Sequence, residues 1–184
     1  MKRILVGVFS ETGNTMKIGE AIRDEAEELG FSIDLESVDS IDPSKLSGYN
    51  AVFIGSTCHS SNLAQPVVDL LAKLPENTGL RLAGFVTHST WEPSDNARRQ
   101  SLYERWAGLC QPTFEKACAN KGIDFLGFFS CMGVPNQQIE AFIHSTIMTD
   151  DAEWAEYLEE VRQHPNDQDL QNARAFARGV LEKL

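Results

Sequence analysis

The chain opens on an apolar run, Ile4-Leu5-Val6, continued after Gly7 by Val8-Phe9. A short run rich in branched residues predicts a buried strand. From Met16 to Leu29 the period changes. Apolar Met16, Ile18, Ala21, Ile22, Ala26 and Leu29 recur at helical spacing against charged Lys17, Glu20, Arg23, Asp24, Glu27 and Glu28. Gly30 stands where a helix-ending glycine is expected. Residues 31–38 return to period two, with Phe31, Ile33 and Leu35 on one face, which predicts a second strand at a sheet edge. A loop marked by Asp42-Pro43-Ser44 and Gly48 leads to a third strand at Ala51-Val52-Phe53-Ile54. A helix is expected from Pro66 to Leu74, with proline tolerated in its first turn. Residues 79–86 read as a fourth strand and residues 87–94 as its exit loop. One long helix follows from about Asp95 to Asn120, and residues 123–131 form a fifth strand.

Two further helical stretches, Gln137 to Met148 and Ala152 to Val161, precede a break at His164-Pro165. A last helix, capped by Asn166 or Asp167, runs through Leu170, Ala173, Phe176, Ala177, Val180 and Leu181. Residues 135–163 thus form a helical insertion before the terminal helix. Strands alternating with helices predict an α/β fold over one domain, residues 1–184. Its five-stranded parallel sheet is doubly wound, in the order 2-1-3-4-5, with helices on both faces. Ligands of such sheets lie beyond the carboxyl ends of the strands, where the strand order reverses. Three loops reach that place, starting at Ser10, Gly55 and Thr87, and all are rich in Gly, Ser, Thr and His.

The first of these loops is Ser10-Glu11-Thr12-Gly13-Asn14-Thr15, opening directly into the first helix. The first amides of a helix lack internal partners and sit at the positive end of its dipole, so a phosphate is stabilised there without a cationic side chain. Ser10, Thr12 and Thr15 add hydroxyl donors, and Gly13 permits a positive φ or a close approach. There is no G-x-x-x-x-G-K-[ST], hence no nucleoside triphosphatase cradle. There is no G-x-G-x-x-G either; a single turn glycine suits a terminal phosphomonoester better than a pyrophosphate.

Composition narrows the field. A chain of 184 residues buries a sizeable core. The net charge of −11 argues against a duplex nucleic-acid partner and is compatible with docking to basic patches on other proteins. The chain enters its first strand without the pattern of a signal peptide, and no apolar run is long enough to cross a bilayer, so a cytoplasmic protein is expected. Cys58, Cys110, Cys118 and Cys131 show no metal or iron–sulfur spacing and are expected as free thiols, with Cys110 and Cys118 packed in the core from one helix.

With its place at the end of the first strand, the run Ser10 to Thr15 resembles the FMN phosphate loop of the flavodoxin family, [ST]-x-T-G-x-T. That resemblance implies a non-covalent FMN, with its phosphate on Ser10, Thr12, Gly13, Asn14 and Thr15. It implies that the second and third loops hold the isoalloxazine ring. By position these are Ser56, Thr57, Cys58 and His59, then His88, Ser89, Thr90 and Trp91. The ring-side loops lack the family's proline–threonine–aromatic and glycine–aspartate patterns, so position alone assigns their residues. Trp91 is the first candidate to stack on the ring and His59 the second. His59 and His88 are candidate hydrogen-bond or proton donors, and Cys58 a passive contact.

Three functions follow. One is a carrier passing electrons through FMN between protein partners, its acidic surface steering basic ones. The second is an FMN-dependent oxidoreductase taking hydride from NAD(P)H and reducing a quinone or other small acceptor. The third is a binding module that kept the fold and lost flavin chemistry, against which the intact loop argues. The insertion covers the flavin, docks a partner, makes an oligomer or fills space. Donor, acceptor, potentials and oligomeric state are not encoded in any of these motifs.

Overall fold

Strict alternation within strands decides which layer each side chain joins. The computed structural model describes residues 2–184. Its strands are β1 (Arg3–Val8), β2 (Ser32–Ser37), β3 (Ala51–His59), β4 (Asn62–Leu63), β5 (Arg81–His88) and β6 (Asp124–Met132). Five of them pair in parallel in the order β2-β1-β3-β5-β6, with β2 at an edge, and this is the expected 2-1-3-4-5 order once the short β4 is set aside. The helices are α1 (Asn14–Glu28), α2 (Gln65–Ala72), α3 (Ala97–Trp106), α4 (Cys110–Lys121), α5 (Gln137–Phe142), α6 (Asp151–Val161) and α7 (Asp167–Leu181).

Successive strand residues feed opposite faces. Leu5, Val52, Ile54, Leu82 and Val86 pack with Val67, Leu70 and Leu71 of α2 and Phe114 of α4. Ile4, Val6, Val8, Phe53 and Phe85 pack with Ile18 and Ile22 of α1 and Ala173 and Ala177 of α7. On that second face the helix comes close because two glycines leave room. A Cβ on Gly19 of α1 would lie 2.6 Å from Val8, and one on Gly55 of β3 would lie 2.2 Å from the Phe85 ring. Phe85 therefore lies over Gly55 and fills the space beneath α1.

The chain departs from the expected elements in three places. The long helix is two helices, α3 and α4, separated at residues 107–109, where Gly108 packs so tightly that a Cβ would meet the Glu104 carbonyl at 2.3 Å. The break lets the two halves serve different layers. Phe114 and Cys118 of α4 enter the sheet core, while Leu102 of α3 enters a separate cluster. The loop after the third strand is a tight hairpin, in which β4 pairs antiparallel with Cys58 and His59. Its turn residues Ser60 and Ser61 both have positive φ, 47° and 75°, without the glycine or asparagine that marks such turns in sequence. The insertion is α5, a π-helical turn at Ile143–Ile147, and α6. With Trp91, Leu102 and Met132 its Ile143, Met148, Tyr157 and Val161 make a third apolar cluster.

Gly55→Ala tests the close approach over β3. The added methyl has no room beside a ring fixed in the core, so unfolding in urea should show a loss of about 1–3 kcal/mol with an unchanged m-value. A loss below about 0.5 kcal/mol would mean that the ring moves aside freely.

Candidate functional site

The turn between β1 and α1 is built by Gly13, whose φ of 87° sends the chain into the helix. Nothing lies within 4 Å of where its Cβ would be, so this side of the turn is open. Gly13 offers no side-chain cap, so the Asn14 and Thr15 amides at the start of the helix have no partner within it. The Met16 amide donates to Ser10 Oγ at 3.3 Å. Asn14 Nδ2 donates to Thr12 Oγ1 at 3.0 Å and to the Val134 carbonyl at 2.8 Å, which ties the turn to the chain leaving β6. Thr15 is fully buried. Its Oγ1 lies 2.7 Å from Thr87 Oγ1 and 3.4 Å from Thr57 Oγ1, so the first turn of α1 meets the ends of β3 and β5 at three hydroxyls.

The second loop divides by role. Ser56 is fully buried, donating to the Thr57 carbonyl at 2.8 Å and accepting from the Ala64 amide at 2.9 Å. It holds the hairpin, and Thr57, Cys58, His59 and Ser60 carry on to the edge of a cavity. There His59 Nε2 meets Glu11 Oε2 at 2.5 Å, with its ring edge-on to Phe9. From the third loop His88, Ser89 and Thr90 reach the same cavity. Ser89 Oγ donates to the Gly133 carbonyl at 3.0 Å, and the Ser89 carbonyl accepts from Tyr157 Oη at 2.9 Å. Thr90 Oγ1 is buried without a partner, an orphan donor on the cavity lining.

The cavity measures about 390 Å³. Its polar lining includes Glu11, Thr12, Asn14, Thr57, Thr87 and Ser89, and its apolar lining Trp106, Pro135, Ile139, Phe142, Ile143, Ile147 and Met148. Ser10, Gly13 and Thr15 shape the adjoining turn rather than the lining, and Ser56 stands behind it. Trp91 is placed elsewhere. It is 1% exposed in the third apolar cluster, with the Arg99 guanidinium 3.7 Å over its ring and Tyr157 edge-on at 5.6 Å. The tryptophan on the lining is Trp106, edge-on to Phe142 at 5.8 Å. Periodicity hid Trp106 inside one long helix. Gly108 and Pro112, which falls in the first turn of α4, are the local signals that the chain turns there.

Beside the cavity His88 and Glu92 form a buried pair. His88 Nδ1 lies 3.2 Å from the Thr90 carbonyl, so this nitrogen carries the hydrogen and Nε2 is left as the acceptor. Nε2 faces Glu92 Oε1 at 3.6 Å, and neither atom has another partner. Burial pushes the His88 imidazole down to about 4. Burial, aided by the charge of Asp169, pushes the Glu92 carboxyl up to about 7. The Glu92 side chain is 38% exposed as a whole, but Oε1 is enclosed, and that oxygen faces His88. Near pH 6 both groups are neutral, and at 3.6 Å they face each other just outside hydrogen-bond distance. Burial therefore favours the uncharged His88 imidazole near neutral pH.

The Flavodoxin domain family profile matches residues 5–178. No curated protein matches the chain. Among solved structures, a Streptococcus pneumonia TIGR4 flavodoxin superposes with a TM-score of 0.66 at 14% identity, covering 100% of both chains. A flavodoxin from the domain Archaea gives 0.62 at 16% identity, over 98% of this chain and 97% of the other. Flavodoxin 2 from Bacillus cereus gives 0.61 at 15% identity, over 99% of each. At these identities the likeness speaks to the fold.

Glu92→Gln tests the buried pair. Gln keeps a donor toward His88 and cannot ionise. The folded-state value of Glu92 lies above its ordinary 4.5, so the stability it contributes at low pH is lost as pH rises through about 7. The lowered value of His88 acts oppositely, costing stability as pH falls from 6.5 through about 4, and is common to both proteins. Urea unfolding should show parent and variant alike below pH 4 and the variant more stable above pH 8. Curves that coincide up to pH 9 would mean that the carboxyl ionises freely in the folded protein.

Proposed function

The chain belongs to the flavodoxin family, which implies a non-covalently bound FMN, and we propose that it passes electrons through this group between protein partners. The observation that carries the reading is the polarity of the cavity. Beside it lie the open, uncapped first turn of α1 and its hydroxyls; its lining extends to an apolar wall of Trp106, Ile139, Phe142 and Ile143. FMN has the same polarity, a dianionic phosphate at one end and a flat, largely apolar ring at the other. When bound it supplies one- and two-electron redox chemistry that no side chain offers.

The roles of the chain's own residues follow from their places. The first-turn amides and the hydroxyls of Ser10 and Thr12 take the phosphate oxygens, and the Asn14 side chain orients Thr12 Oγ1 for this. Thr15 acts through position, holding the turn against Thr57 and Thr87. Thr57, Cys58, His59 and Ser60, with His88, Ser89 and Thr90, frame the polar edge of the ring, and the orphan Thr90 hydroxyl has a hydrogen bond to give there. The apolar wall, with Trp106 in place of the Trp91 that the sequence offered to stack on the ring, excludes water from the ring. A net charge of −11 steers basic partners toward the protein at low salt.

A second reading is an NAD(P)H-dependent oxidoreductase reducing a quinone or other small acceptor. It is favoured by Ile139 and Phe142, which line the cavity yet remain 45% and 42% exposed, a surface a flat apolar molecule would cover. Against it, about 390 Å³ is near the lower end of the roughly 300–1,000 Å³ usual for one small ligand.

Purified protein should be yellow and release FMN on denaturation. In a flavin-fluorescence titration of the apoprotein, Thr12→Ala should weaken FMN binding about tenfold or more, the loss of about one hydrogen bond to a charged group. Riboflavin, which lacks the phosphate, should bind parent and variant alike. Equal FMN affinity for both proteins would remove Thr12 from the phosphate site, and no uptake of flavin at all would sink both redox readings. Steady NAD(P)H consumption with a quinone present would favour the enzyme over the carrier.

A further inference from the structure

We propose that Cys58 and Cys110 form a reversible dithiol–disulfide couple, a second redox site at the cavity wall that exchanges with small-molecule disulfides and thiols. The two Sγ atoms lie 3.4 Å apart although 52 positions separate the residues. Cys58 is partly exposed and on the cavity lining, while Cys110, the first residue of α4, is buried behind it. Cys118 and Cys131 are buried and belong to opposite faces of the sheet, so each lacks a thiol neighbour of this kind. One thiol is reachable and one is held in reserve, which is the arrangement of an attacking and a resolving cysteine.

The surroundings hold the pair together. The hairpin carrying Cys58 is clamped to the first turns of α4 by the Leu109 amide donating to the Ser61 carbonyl at 3.0 Å and by Thr113 Oγ1 donating to Asn62 Oδ1 at 2.7 Å. Cys110 Sγ also reaches the Ser61 carbonyl at 3.7 Å, and Cys58 Sγ donates to the Trp106 carbonyl at 3.2 Å. A core cysteine packed only as a small apolar group needs none of these contacts. The Cys58 sulfur and burial together hold the Cys110 thiol well above its ordinary range, so Cys110 stays protonated until Cys58 has reacted.

The chemistry balances with a small disulfide as oxidant. The Cys58 thiolate attacks one sulfur of R–S–S–R, the S–S bond breaks, and R–S⁻ leaves and takes up the proton Cys58 gave up. Cys110 then loses its proton and attacks Cys58 Sγ in the mixed disulfide, expelling a second R–S⁻, which is protonated in turn. Two protein thiols are oxidised to one disulfide, and one small disulfide is reduced to two thiols. Excess thiol reverses both steps. No flavin enters this exchange, so it stands or falls independently of the cofactor reading.

The protein, incubated under native conditions with glutathione disulfide and then denatured for thiol titration, should fall from four free thiols to two. Its intact mass should drop by about 2 Da, the two hydrogens lost. Peptide mapping should join Cys58 to Cys110, and dithiothreitol should restore the starting thiols. Cys110→Ser should stop at a stable glutathione adduct on Cys58, and Cys58→Ser, a change at the partly exposed position, should not react. A parent protein that keeps all its thiols, or that halts at the Cys58 adduct without closing the disulfide, would overturn the proposal.

Discussion

A parallel sheet sends all its strands out on one side, where regular backbone pairing no longer holds the chain. In this protein the loops leaving β1, β3 and β5 are held instead by the buried hydroxyl of Thr15, 2.7 Å from Thr87 Oγ1 and 3.4 Å from Thr57 Oγ1. A buried hydroxyl without partners costs free energy, so the buried Thr15 hydroxyl depends on the two it meets. Asn14 extends the network to the chain leaving β6 through the Val134 carbonyl. The open first turn of α1 keeps its place beside the cavity because of these bonds. The glycines at positions 19 and 55 let α1 lie close enough to the sheet for them to form.

The insertion gives this site its second wall. Its helices settle on α3 and on the loop after β5 by burying Trp91, Tyr157, Met148 and Ile143 together, and the Tyr157 hydroxyl secures the Ser89 carbonyl at 2.9 Å. Arg98 and Arg99 of α3 pair with Glu153 and Glu156 of α6 across the seam, at 3.0 and 2.6 Å. Such surface pairs contribute little energy, about 0–1 kcal/mol each, and fix register more than stability. Burial of the aromatic cluster dominates. It also explains why Trp91 serves the protein from behind the cavity, where it supports the loop that presents His88, Ser89 and Thr90.

Enclosure changes the chemistry of what it covers. Burial pushes the His88 imidazole down and the Glu92 carboxyl up, so two groups that would be charged apart face each other as a neutral pair, 3.6 Å apart. The same shielding leaves Cys58 on the lining while Cys110 is sealed behind it. The site thus offers donors and a reachable sulfur, with no free positive charge of its own among the residues that line it.

The order of strands, the layering and the glycine turn between β1 and α1 were legible because each is written in local pattern. Period two divides Ile4 and Val6 from Leu5, helical period runs from Met16 to Leu29, and Ser10 to Thr15 carries its hydroxyls and glycine in a row. The edge position of β2 and the core places of Cys110 and Cys118 were legible for the same reason. What the sequence did not disclose depends on contacts between distant residues. The hairpin at Ser60-Ser61 needs two positive φ values that serine adopts only under external hold. The break between α3 and α4 is marked locally by Gly108 and Pro112, but which clusters the two helices enter, and with that the place of Trp106 at the cavity, is settled by tertiary packing. The Thr15 network and the meeting of Cys58 with Cys110 join residues far apart in the chain. Local pattern thus determined which elements form and in what order they pair, because propensity and periodicity act over a few residues. Only the tertiary structure decided which side chains face the cavity, because burial and hydrogen-bond satisfaction are settled where loops from separate strands converge.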